Sequence, residues 1–274
     1  MSENGRAAVV TGAAGGIGVQ LVRGLLGAGM RVAAADRDRG RLAALAAEHE
    51  TEALLTIEAD LARDEGAQAI VAAATARFGE IDILVNNAGV GPGAIRADSW
   101  QNPLKFWEIT SDQWRLYLAV HTTAPLALAR ALAPPMTRRG WGRIVNVTTS
   151  LGTMLNAGFP TYGPSKAALE AMSAIWAKDL AGSGVTVNVL VPGGVTDTPM
   201  ISEEAGFDRA RLIRPRIMVP PLLWLLSDNA AAVTGRRFIA AHWDTALSPA
   251  AAAAKAGAPV AWTQIAAQPI APDR

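Results

Sequence analysis

The sequence predicts an α/β fold, a doubly wound parallel sheet of about seven strands with helices on both faces. Short, almost entirely apolar runs alternate with longer segments whose apolar residues recur at helical spacing. The apolar runs lack the polar alternation of a half-exposed strand, so each is expected in a sheet that is covered on both faces. The repeated order of strand and helix is typical of a parallel sheet.

Seven segments read as strands and five as helices. The predicted strands are Ala7–Val10, Arg31–Ala35, Leu54–Glu58, Ile83–Asn86, Arg143–Val147, Thr186–Val191 and Arg237–Ala240. The predicted helices are Gly16–Leu26, Arg39–His49, Glu65–Phe78, Asp112–Met136 and Tyr162–Leu180. We see no linker or internal repeat, so one domain is expected, with a core from about residue 6 to 240 and a C-terminal extension over 241–274.

The composition narrows the possible function classes. The 25 basic and 24 acidic residues are spread along the chain, so no basic block favours a nucleic acid or a membrane. The absence of cysteine excludes disulfides and thiol catalysis, and no carboxylate and histidine spacing indicates a metal. No signal-peptide pattern and no uncharged apolar run of roughly 20 residues is present. We therefore expect a soluble, cytoplasmic, metal-free protein.

A glycine-rich turn, VVTGAAGGIG, follows the first predicted strand and opens the first predicted helix. Gly12, Gly16 and Gly18 allow a tight turn and a close approach of the backbone to a pyrophosphate. The helix N-terminus around Ile17 adds free N–H groups and a positive dipole end. A glycine string alone is also compatible with a plain turn, but its place between strand and helix favours a dinucleotide site.

Asp36 ends the second predicted strand, 18 residues after Gly18. A carboxylate at this position bonds the adenosine ribose hydroxyls and repels a 2′-phosphate, so NAD is favoured over NADP. The neighbouring Arg37 leaves NADP open, because a guanidinium can pair with that phosphate. The other interpretation of Asp36 is a helix N-cap.

The spacing TGxxxGxG resembles that of the short-chain dehydrogenase/reductase superfamily, and further motifs follow in that family's order. EADL at 58–61, NNAG at 86–89, YGPSK at 162–166 and PGG at 192–194 extend the resemblance from about residue 6 to 240. The resemblance implies a Rossmann-type fold that binds a nicotinamide dinucleotide. The further cofactor contacts that it implies are Asp60, Leu61, Asn87, Gly89, Pro192, Gly193 and Val195.

Tyr162 and Lys166 lie four residues apart and so share one face of a helix. A phenol with a pKa near 10 is mostly protonated at neutral pH, and a nearby ammonium and an oxidised nicotinamide favour the phenolate. We therefore expect a lowered Tyr162 pKa and an acid/base role at a carbonyl. The resemblance implies that Lys166 also bonds the nicotinamide ribose. For the pair alone, a solvated helix face is the alternative.

Two positions depart from the family pattern. The family places a serine 13 residues before the tyrosine, where this chain has Thr149, which keeps the hydroxyl but adds a methyl group. The adjacent Ser150 is the reserve candidate, although successive strand residues face opposite ways. His121 stands where the family carries an asparagine that holds a water leading to the lysine. It is expected as a neutral ring with a lowered pKa, either relaying protons or packed in the core.

The predicted function is transfer of a hydride between NAD(H) and a ketone or secondary alcohol. The resemblance places substrate near apolar residues that favour an apolar or aromatic molecule: Trp100, Trp107, Met154, Leu155, Phe159 and Met200. It also implies a homodimer or homotetramer through helices matching 112–136 and 162–180. The alternatives are reduction of an imine or of a carrier-bound 3-oxoacyl group, the latter with a basic patch from Arg138, Arg139, Arg211, Arg214 and Arg216, and a non-catalytic NAD-binding redox sensor.

Overall fold

A single eight-stranded sheet organises the structure, a computed structural model that describes residues 5–262. The strands are β1 (Ala7–Thr11), β2 (Arg31–Asp36), β3 (Leu54–Glu58), β4 (Ile83–Asn86), β5 (Gly142–Val147), β6 (Val185–Val191), β7 (Arg236–Ile239) and β8 (Gly257–Pro259). Their order in the sheet is β3-β2-β1-β4-β5-β6-β7-β8. The first seven run parallel, which confirms the predicted sheet, and each begins and ends within one residue of its prediction.

Nine helices lie between the strands in the described part of the chain. They are α1 (Gly16–Gly27), α2 (Arg39–Glu48), α3 (Asp64–Phe78), α4 (Ser111–Leu118), α5 (Ala124–Arg139), α6 (Leu151–Leu155), α7 (Tyr162–Asp179), α8 (Val219–Leu226) and α9 (Pro249–Ala256). Two cores cover the two faces of the sheet. One includes Leu21 of α1 and Leu222 of α8, and the other includes Ile70 of α3 and Leu128 of α5.

The predicted helix 112–136 is not one regular α-helix. A π-helical turn, Ala119–Thr123, separates α4 from α5. Pro125 explains the break, because it has no N–H to donate to the carbonyl four residues earlier and its ring clashes there. The whole segment 111–139 is long and apolar enough to cross a membrane by length and composition. Here Leu128, Leu132 and Met136 pack it against the sheet as a core helix.

The eighth strand comes from the segment expected as a C-terminal extension. β8 pairs antiparallel with β7, placing Pro259 opposite Arg236 and Gly257 opposite Phe238. α9 leads into this strand and buries Ala252 and Ala253. Residues 241–262 therefore complete the sheet edge and the adjoining core, and the expected remainder of the extension, 263–274, lies outside the described residues.

Candidate active site

The order of the strands reverses between β1 and β4, which run side by side although two strands separate them in the chain. In an open parallel sheet, a crevice forms at the carboxyl ends of the strands at such a point, and ligands bind there. Thr11 ends β1, Asn86 ends β4, and Val147 ends the neighbouring β5. These three strand ends therefore border the crevice.

The glycine-rich turn has the shape that a pyrophosphate requires. Gly12 has φ +61°, a left-handed conformation that side chains other than glycine rarely adopt, and a Cβ on it would lie 2.7 Å from the Cα of Ala88. A Cβ on Gly18 would lie 2.0 Å from the carbonyl oxygen of Gly12. Gly15, the N-cap of α1, has no side chain to cap the first turn, so the N–H groups of Gly16, Ile17 and Gly18 remain available to an anion. Ile17 anchors this turn on the core.

Asn87 joins the end of β4 to this turn. Its Nδ2 donates to the carbonyl oxygens of Thr11 at 2.9 Å and Gly12 at 3.0 Å. In return, the Thr11 hydroxyl accepts from the backbone N–H groups of Asn87 at 3.0 Å and Ala88 at 3.1 Å. These bonds fix the phosphate turn against the residues that precede Gly89.

Asp36 lies at the end of β2, beside the phosphate turn. One carboxylate oxygen accepts from the N–H of Ala14 at 3.0 Å and the other from the N–H of Asp38 at 3.1 Å. The N-cap of α2 is Asp38, whose carboxylate accepts from Arg41, so the N-cap interpretation of Asp36 is wrong. Each oxygen retains a lone pair for a ribose hydroxyl. Arg37 points to solvent as an exposed residue.

The remaining predicted cofactor residues follow β3 and β6. Asp60 closes a turn by accepting from the N–H of Ala62 at 2.9 Å, and Leu61 packs on the core beneath. After β6, the carbonyl of Pro192 accepts from Ala241 at 3.0 Å. Gly193 takes φ +103°, and a Cβ there would lie 2.7 Å from Ile239. The carbonyl of Val195 accepts from Ile213, which ties this segment to the loop that follows.

The turn after β1, with its glycine cradle and uncapped helix N-terminus, fits a dinucleotide pyrophosphate, and Asp36 fits a ribose. These contacts come from residues that are far apart in the chain but meet at the carboxyl ends of the parallel strands. Among residues 5–262, no group of three or more histidine, aspartate or glutamate side chains is placed to hold a metal ion. The crevice therefore has the chemistry of a nucleotide site.

Tyr162 begins α7 and Lys166 follows one turn later on the same face. Lys166 is only 3% exposed, so the solvated-face alternative is wrong. Its Nζ donates to the carbonyl oxygen of Val147 at 2.9 Å, which holds α7 against the end of β5. A Cβ on Gly89 would lie 3.6 Å from this Nζ and 3.3 Å from Nε2 of His121, so Gly89 lies directly beside both side chains.

The expected lowering of the Tyr162 pKa is wrong for the protein itself. Burial raises the pKa of Tyr162 to about 12, and a hydrogen bond with Thr149 only partly offsets this effect. Burial also lowers the pKa of Lys166 to about 7. The partial burial of Tyr162 and the full burial of Lys166 disfavour both charges, so the ammonium does not supply the expected stabilisation of the phenolate. The protein alone holds Tyr162 as a phenol, the form that donates a proton.

Thr149 is the second residue after β5, and its side chain supplies the hydrogen-bond interaction that acts on the pKa of Tyr162. Ser150, the reserve candidate, is engaged elsewhere, because its hydroxyl caps α6 by accepting from the N–H of Thr153 at 3.0 Å. The hydroxyl beside Tyr162 is therefore that of Thr149. The strand itself ends at Val147, so Ser150 is turned away by its role as the N-cap of α6 and not by strand alternation.

His121 lies in the π-helical turn and is fully buried. Its Nε2 accepts from the backbone N–H of Val90 at 2.8 Å, so the proton of the neutral ring resides on Nδ1. Nδ1 lies 2.8 Å from the hydroxyl of Ser165, which in turn donates to the carbonyl of Tyr162. Burial and the charge of Lys166 hold the pKa of His121 well below 6.5, as expected. Both ring nitrogens thus have protein partners.

An aromatic cluster borders Tyr162 on the substrate side. The Phe159 ring lies 6.2 Å from the Tyr162 ring, and the edge of Trp100 packs on Phe159 at 5.4 Å. Phe207 packs on Trp100 at 4.9 Å, which links the loop 89–110 to the loop 197–216. Met200 also reaches the site, because a Cβ on Gly91 would lie 2.5 Å from its Cγ.

The other predicted substrate residues lie outside this cluster. Trp107 is 70% exposed and packs on Phe106, and Leu155 is 79% exposed. Met154 is buried, and its carbonyl lies under Gly163 of α7. The five arginines proposed for an acyl-carrier patch lie in two separate segments, with Arg138 and Arg139 at the end of α5 and the other three in the loop after β6. Arg139 bonds Ile81 and Asp82 at the amino end of β4, which is the end of the sheet opposite to the crevice.

The sequence analysis did not identify several buried residues that contact the predicted site residues. Val90 and Ser165 hold His121, while Glu170 and Arg237 form an ion pair with side chains 0% and 6% exposed. A charged residue in an otherwise apolar helix or strand is the signal that was available for that pair, because charged side chains are almost never fully buried unless they are paired.

Comparisons with known proteins agree with this geometry. The family model described as short chain dehydrogenase matches residues 6–207. A 2,3-dihydroxy-2,3-dihydro-p-cumate dehydrogenase of Pseudomonas putida is 36% identical over 198 residues, which cover 70% of this chain and 71% of the relative.

Two solved structures share the fold. A 3-ketoacyl-(acyl-carrier-protein) reductase of Brucella melitensis, complexed with NADH, superposes with TM-score 0.73 at 26% identity and covers 85% of this chain and 95% of its own. A putative gluconate 5-dehydrogenase of Beutenbergia cavernae, with bound NADP, superposes with TM-score 0.73 at 31% identity and covers 86% and 95%. The chain therefore belongs to the short-chain dehydrogenase/reductase family, whose members are NAD(P)-dependent oxidoreductases acting on alcohols and carbonyl compounds.

Proposed function

We propose that this enzyme interconverts apolar or aromatic ketones and secondary alcohols with NAD(H), and that Tyr162 is its general acid and base. The observation that carries the proposal is the position of the Tyr162 phenol, bonded to Thr149 on one side and bordered by Phe159 on the other. Lys166 is buried one helical turn away.

The proposed mechanism assigns a separate task to each side chain. When bound, the nicotinamide supplies the hydride for reduction and accepts it in oxidation. The hydroxyls of Thr149 and Tyr162 both bond the substrate oxygen, and Tyr162 donates its proton to that oxygen during reduction. In the oxidative direction Tyr162 accepts the proton as a phenolate, a form that would need the positive charge of the bound oxidised nicotinamide because burial alone raises the pKa of Tyr162 to about 12. Lys166, with its pKa of about 7, can take up or release a proton near neutral pH. His121 holds the backbone of Val90 close to α7 through its hydrogen bonds with Val90 and Ser165.

NAD(H) is proposed over NADP(H) because of Asp36. Its two oxygens are oriented by the N–H groups of Ala14 and Asp38, so the negative charge is fixed beside the site of the adenosine ribose. A 2′-phosphate at that place would meet this charge. The remaining cofactor contacts in the proposal are those of the glycine turn and of the segments that follow β3, β4 and β6.

The aromatic cluster supports the substrate class. Trp100, Phe159 and Phe207 present ring edges and faces beside Tyr162, which suits a flat apolar molecule better than a sugar. The cumate-related name of the Pseudomonas putida relative is in keeping with a ring-containing substrate. The five arginines that could bind an acyl carrier lie in two separate segments, which argues against reduction of a carrier-bound 3-oxoacyl group.

The proposal includes a homodimer or homotetramer in the cytoplasm. Apolar side chains remain exposed on the helices that the sequence analysis named for assembly: Trp114 on α4, Leu126 on α5 and Ile175 on α7, which is 56% exposed. Burial of such side chains stabilises association. The mass of the protein in solution tests this part directly.

The testing experiment measures turnover of aromatic and aliphatic ketones with NADH and with NADPH. We expect aromatic ketones to be reduced with a clear NADH preference, and Tyr162→Phe to lower kcat by at least roughly a hundredfold, the scale of a lost general acid. Tyr117→Phe is the control for removing a buried phenol, because Tyr117 donates to the carbonyl of Gly91 and does not bond Thr149.

Three other results of these measurements would each favour a different function or mechanism. If only 3-oxoacyl thioesters or imines were turned over, the proposed substrate class would be wrong, but the acid/base role of Tyr162 would be unaffected. Near-normal turnover by Tyr162→Phe would refute that role. Tight NADH binding without any turnover across ketones, thioesters and imines would favour the redox sensor.

A further inference from the structure

The end of β5 is held by a buried polar network that the acid/base chemistry does not itself use. The hydroxyl of Thr148 donates to one carboxylate oxygen of Glu170 at 2.8 Å. The other oxygen accepts from Nε of Arg237 at 3.0 Å and from the N–H of Ala261 at 3.1 Å. Thr148 and Glu170 are 3% and 0% exposed, so these groups are removed from water.

The network ends on the backbone of the residue that contacts Tyr162. Nη2 of Arg237 donates to the carbonyl oxygen of Thr149 at 2.9 Å. Arg237 therefore bridges a carboxylate on α7 and a carbonyl at the end of β5. Its planar guanidinium supports both bonds at once, because the two donor directions are fixed relative to one another.

One face of α7 supplies several of the side chains that hold the end of β5. Tyr162, Lys166 and Glu170 are spaced by four residues each, so they lie above one another on the helix. Lys166 holds the carbonyl of Val147, and Glu170 holds the side chain of Thr148. Three successive residues of the β5 end are thus tied by side chains, and only the Thr149 hydroxyl is left for the reacting group.

A residue shortly after β8 bonds the same carboxylate. Ala261 takes φ +58°, an uncommon conformation for a residue other than glycine, and in it donates to Glu170. The position of Glu170 therefore depends on β7, through Arg237, and on the residues after β8.

We propose that Glu170 and Arg237 are positioning residues that fix the Thr149 hydroxyl against Tyr162; the catalytic consequence rests on the proposed function. The pair is distant from the substrate side and acts through the backbone of Thr149. Loss of the Arg237 bond would release the carbonyl of Thr149 and let its side chain turn away from the phenol.

Arg237→Lys is the central test, because lysine keeps a positive charge near Glu170 but lacks the fork that reaches the Thr149 carbonyl. We expect kcat to fall roughly ten- to a hundredfold, the cost of a small misplacement, with the Kd for NADH within about twofold of the wild type. Arg139→Lys is the matched control. Arg139 also bridges a carboxylate and a carbonyl, those of Asp82 and Ile81, but at the opposite end of the sheet.

A double-substitution cycle separates positioning from a general loss of stability. In a Thr149→Val background, Arg237→Lys should lower kcat no further, because the hydroxyl through which it acts is already absent. Additive losses in that cycle, or an equal loss of kcat in Arg139→Lys, would overturn the proposal. If Arg237→Lys does not fold, Thr148→Val removes one bond to Glu170 and is measured in the same way.

A spectroscopic readout keeps this test independent of the substrate. The chain has two tyrosines, so carbon-13 labelling of tyrosine Cζ gives two resonances, and Tyr162→Phe assigns them. Arg237→Lys should move the Tyr162 resonance only when Thr149 retains its hydroxyl, whereas Arg139→Lys should leave it in place. An unmoved resonance refutes the positioning role, while a moved resonance supports it even if Tyr162→Phe proves fully active on ketones.

Discussion

At the scale of single residues, His121 is the departure from the family pattern with the clearest physical consequence. Its Nε2 must be unprotonated to accept from Val90, and its neutral form is favoured because the ring is buried near Lys166. Protonation would place a hydrogen against the Val90 N–H and a charge next to an ammonium. We therefore propose that the ring is a neutral brace between the residues after β4 and α7.

This arrangement predicts that acid destabilises the protein through His121. The folded-state pKa is lowered well below 6.5, so between that pKa and 6.5 the unfolded chain binds a proton that the folded chain does not. The contribution of His121 to stability is full above pH 6.5 and decreases as the pH falls below it, by up to about 1.4 kcal/mol per pH unit. Urea unfolding between pH 5 and 7 measures this slope.

His121→Asn should be less stable than the wild type at pH 7 and should lack this part of the slope. His242→Asn, which removes an exposed histidine, is the control and should follow the wild-type curve. Equal slopes for His121→Asn and the wild type would contradict the neutral brace. A shift in the pH profile of kcat with unchanged stability would favour the proton relay.

Some residues of the site belong to short sequence motifs and could be predicted, whereas others do not and could not. Tyr162, Lys166 and the glycines lie in motifs, so their neighbourhood could be predicted. The direction of the Tyr162 pKa could not, because it depends on how deeply α7 and β5 bury the phenol. The Glu170–Arg237 pair brings together residues 67 positions apart, and no local spacing reports such a contact.

At the scale of secondary-structure elements, strand ends were predicted to within a residue because each apolar run stops where the sheet core stops. The π-helical turn at Ala119–Thr123 was missed because helical periodicity continues through it, although Pro125 marked the place. α6, α8 and α9 were missed as well, the last because its run of alanines has no apolar and polar alternation. α6 has five residues, and α8 opens with two prolines in its first turn, so neither presents a long periodic pattern.

The connection between β1 and α1 leads to a prediction that has a control in the same helix. A Cβ on Gly18 would lie 2.0 Å from the carbonyl of Gly12, whereas a Cβ on Gly27 meets nothing within 4 Å. Gly18→Ala must therefore shift the phosphate turn, and we expect the Kd for NADH to rise at least roughly tenfold, since about 1.4 kcal/mol of lost contact suffices. Isothermal titration measures this change.

Gly27→Ala should leave NADH binding unchanged and slightly stabilise α1, by roughly 0.5 to 1 kcal/mol, because alanine loses less backbone freedom in a helix than glycine. The pair of variants thus separates a steric effect on the phosphate turn from a general effect of alanine on α1. Unaltered NADH affinity in Gly18→Ala would show that the turn does not hold the pyrophosphate.

At the scale of the whole molecule, the sheet order places the two halves of the site on different strands. The nucleotide side is built from the ends of β1, β2 and β4, and the acid/base side from the end of β5 and the start of α7. The apolar pattern predicted the parallel sheet. It could not predict β8, because a three-residue strand, GAP, has no periodicity of its own and pairs only because β7 presents an open edge.

The last prediction concerns that edge. A chain ending at Ala256 lacks β8 and the Ala261 N–H that bonds Glu170, so it leaves the backbone of β7 unpaired on one side and the buried carboxylate short of one donor. We expect its thermal midpoint to fall by several degrees, since roughly 1 to 3 kcal/mol is lost when a buried acceptor loses its partner and domains of this size shift about 2 to 4 °C per kcal/mol.

A chain ending at Trp262 keeps β8 and the bond to Glu170 and is the matched control for that truncation. If β8 supports the catalytic end of β5 through Glu170, the shorter chain should also lose kcat at a temperature where it remains folded, while the control keeps it. Loss of thermal stability without loss of kcat would limit β8 to closing the sheet edge. Equal behaviour of both chains would mean that the antiparallel strand contributes to neither.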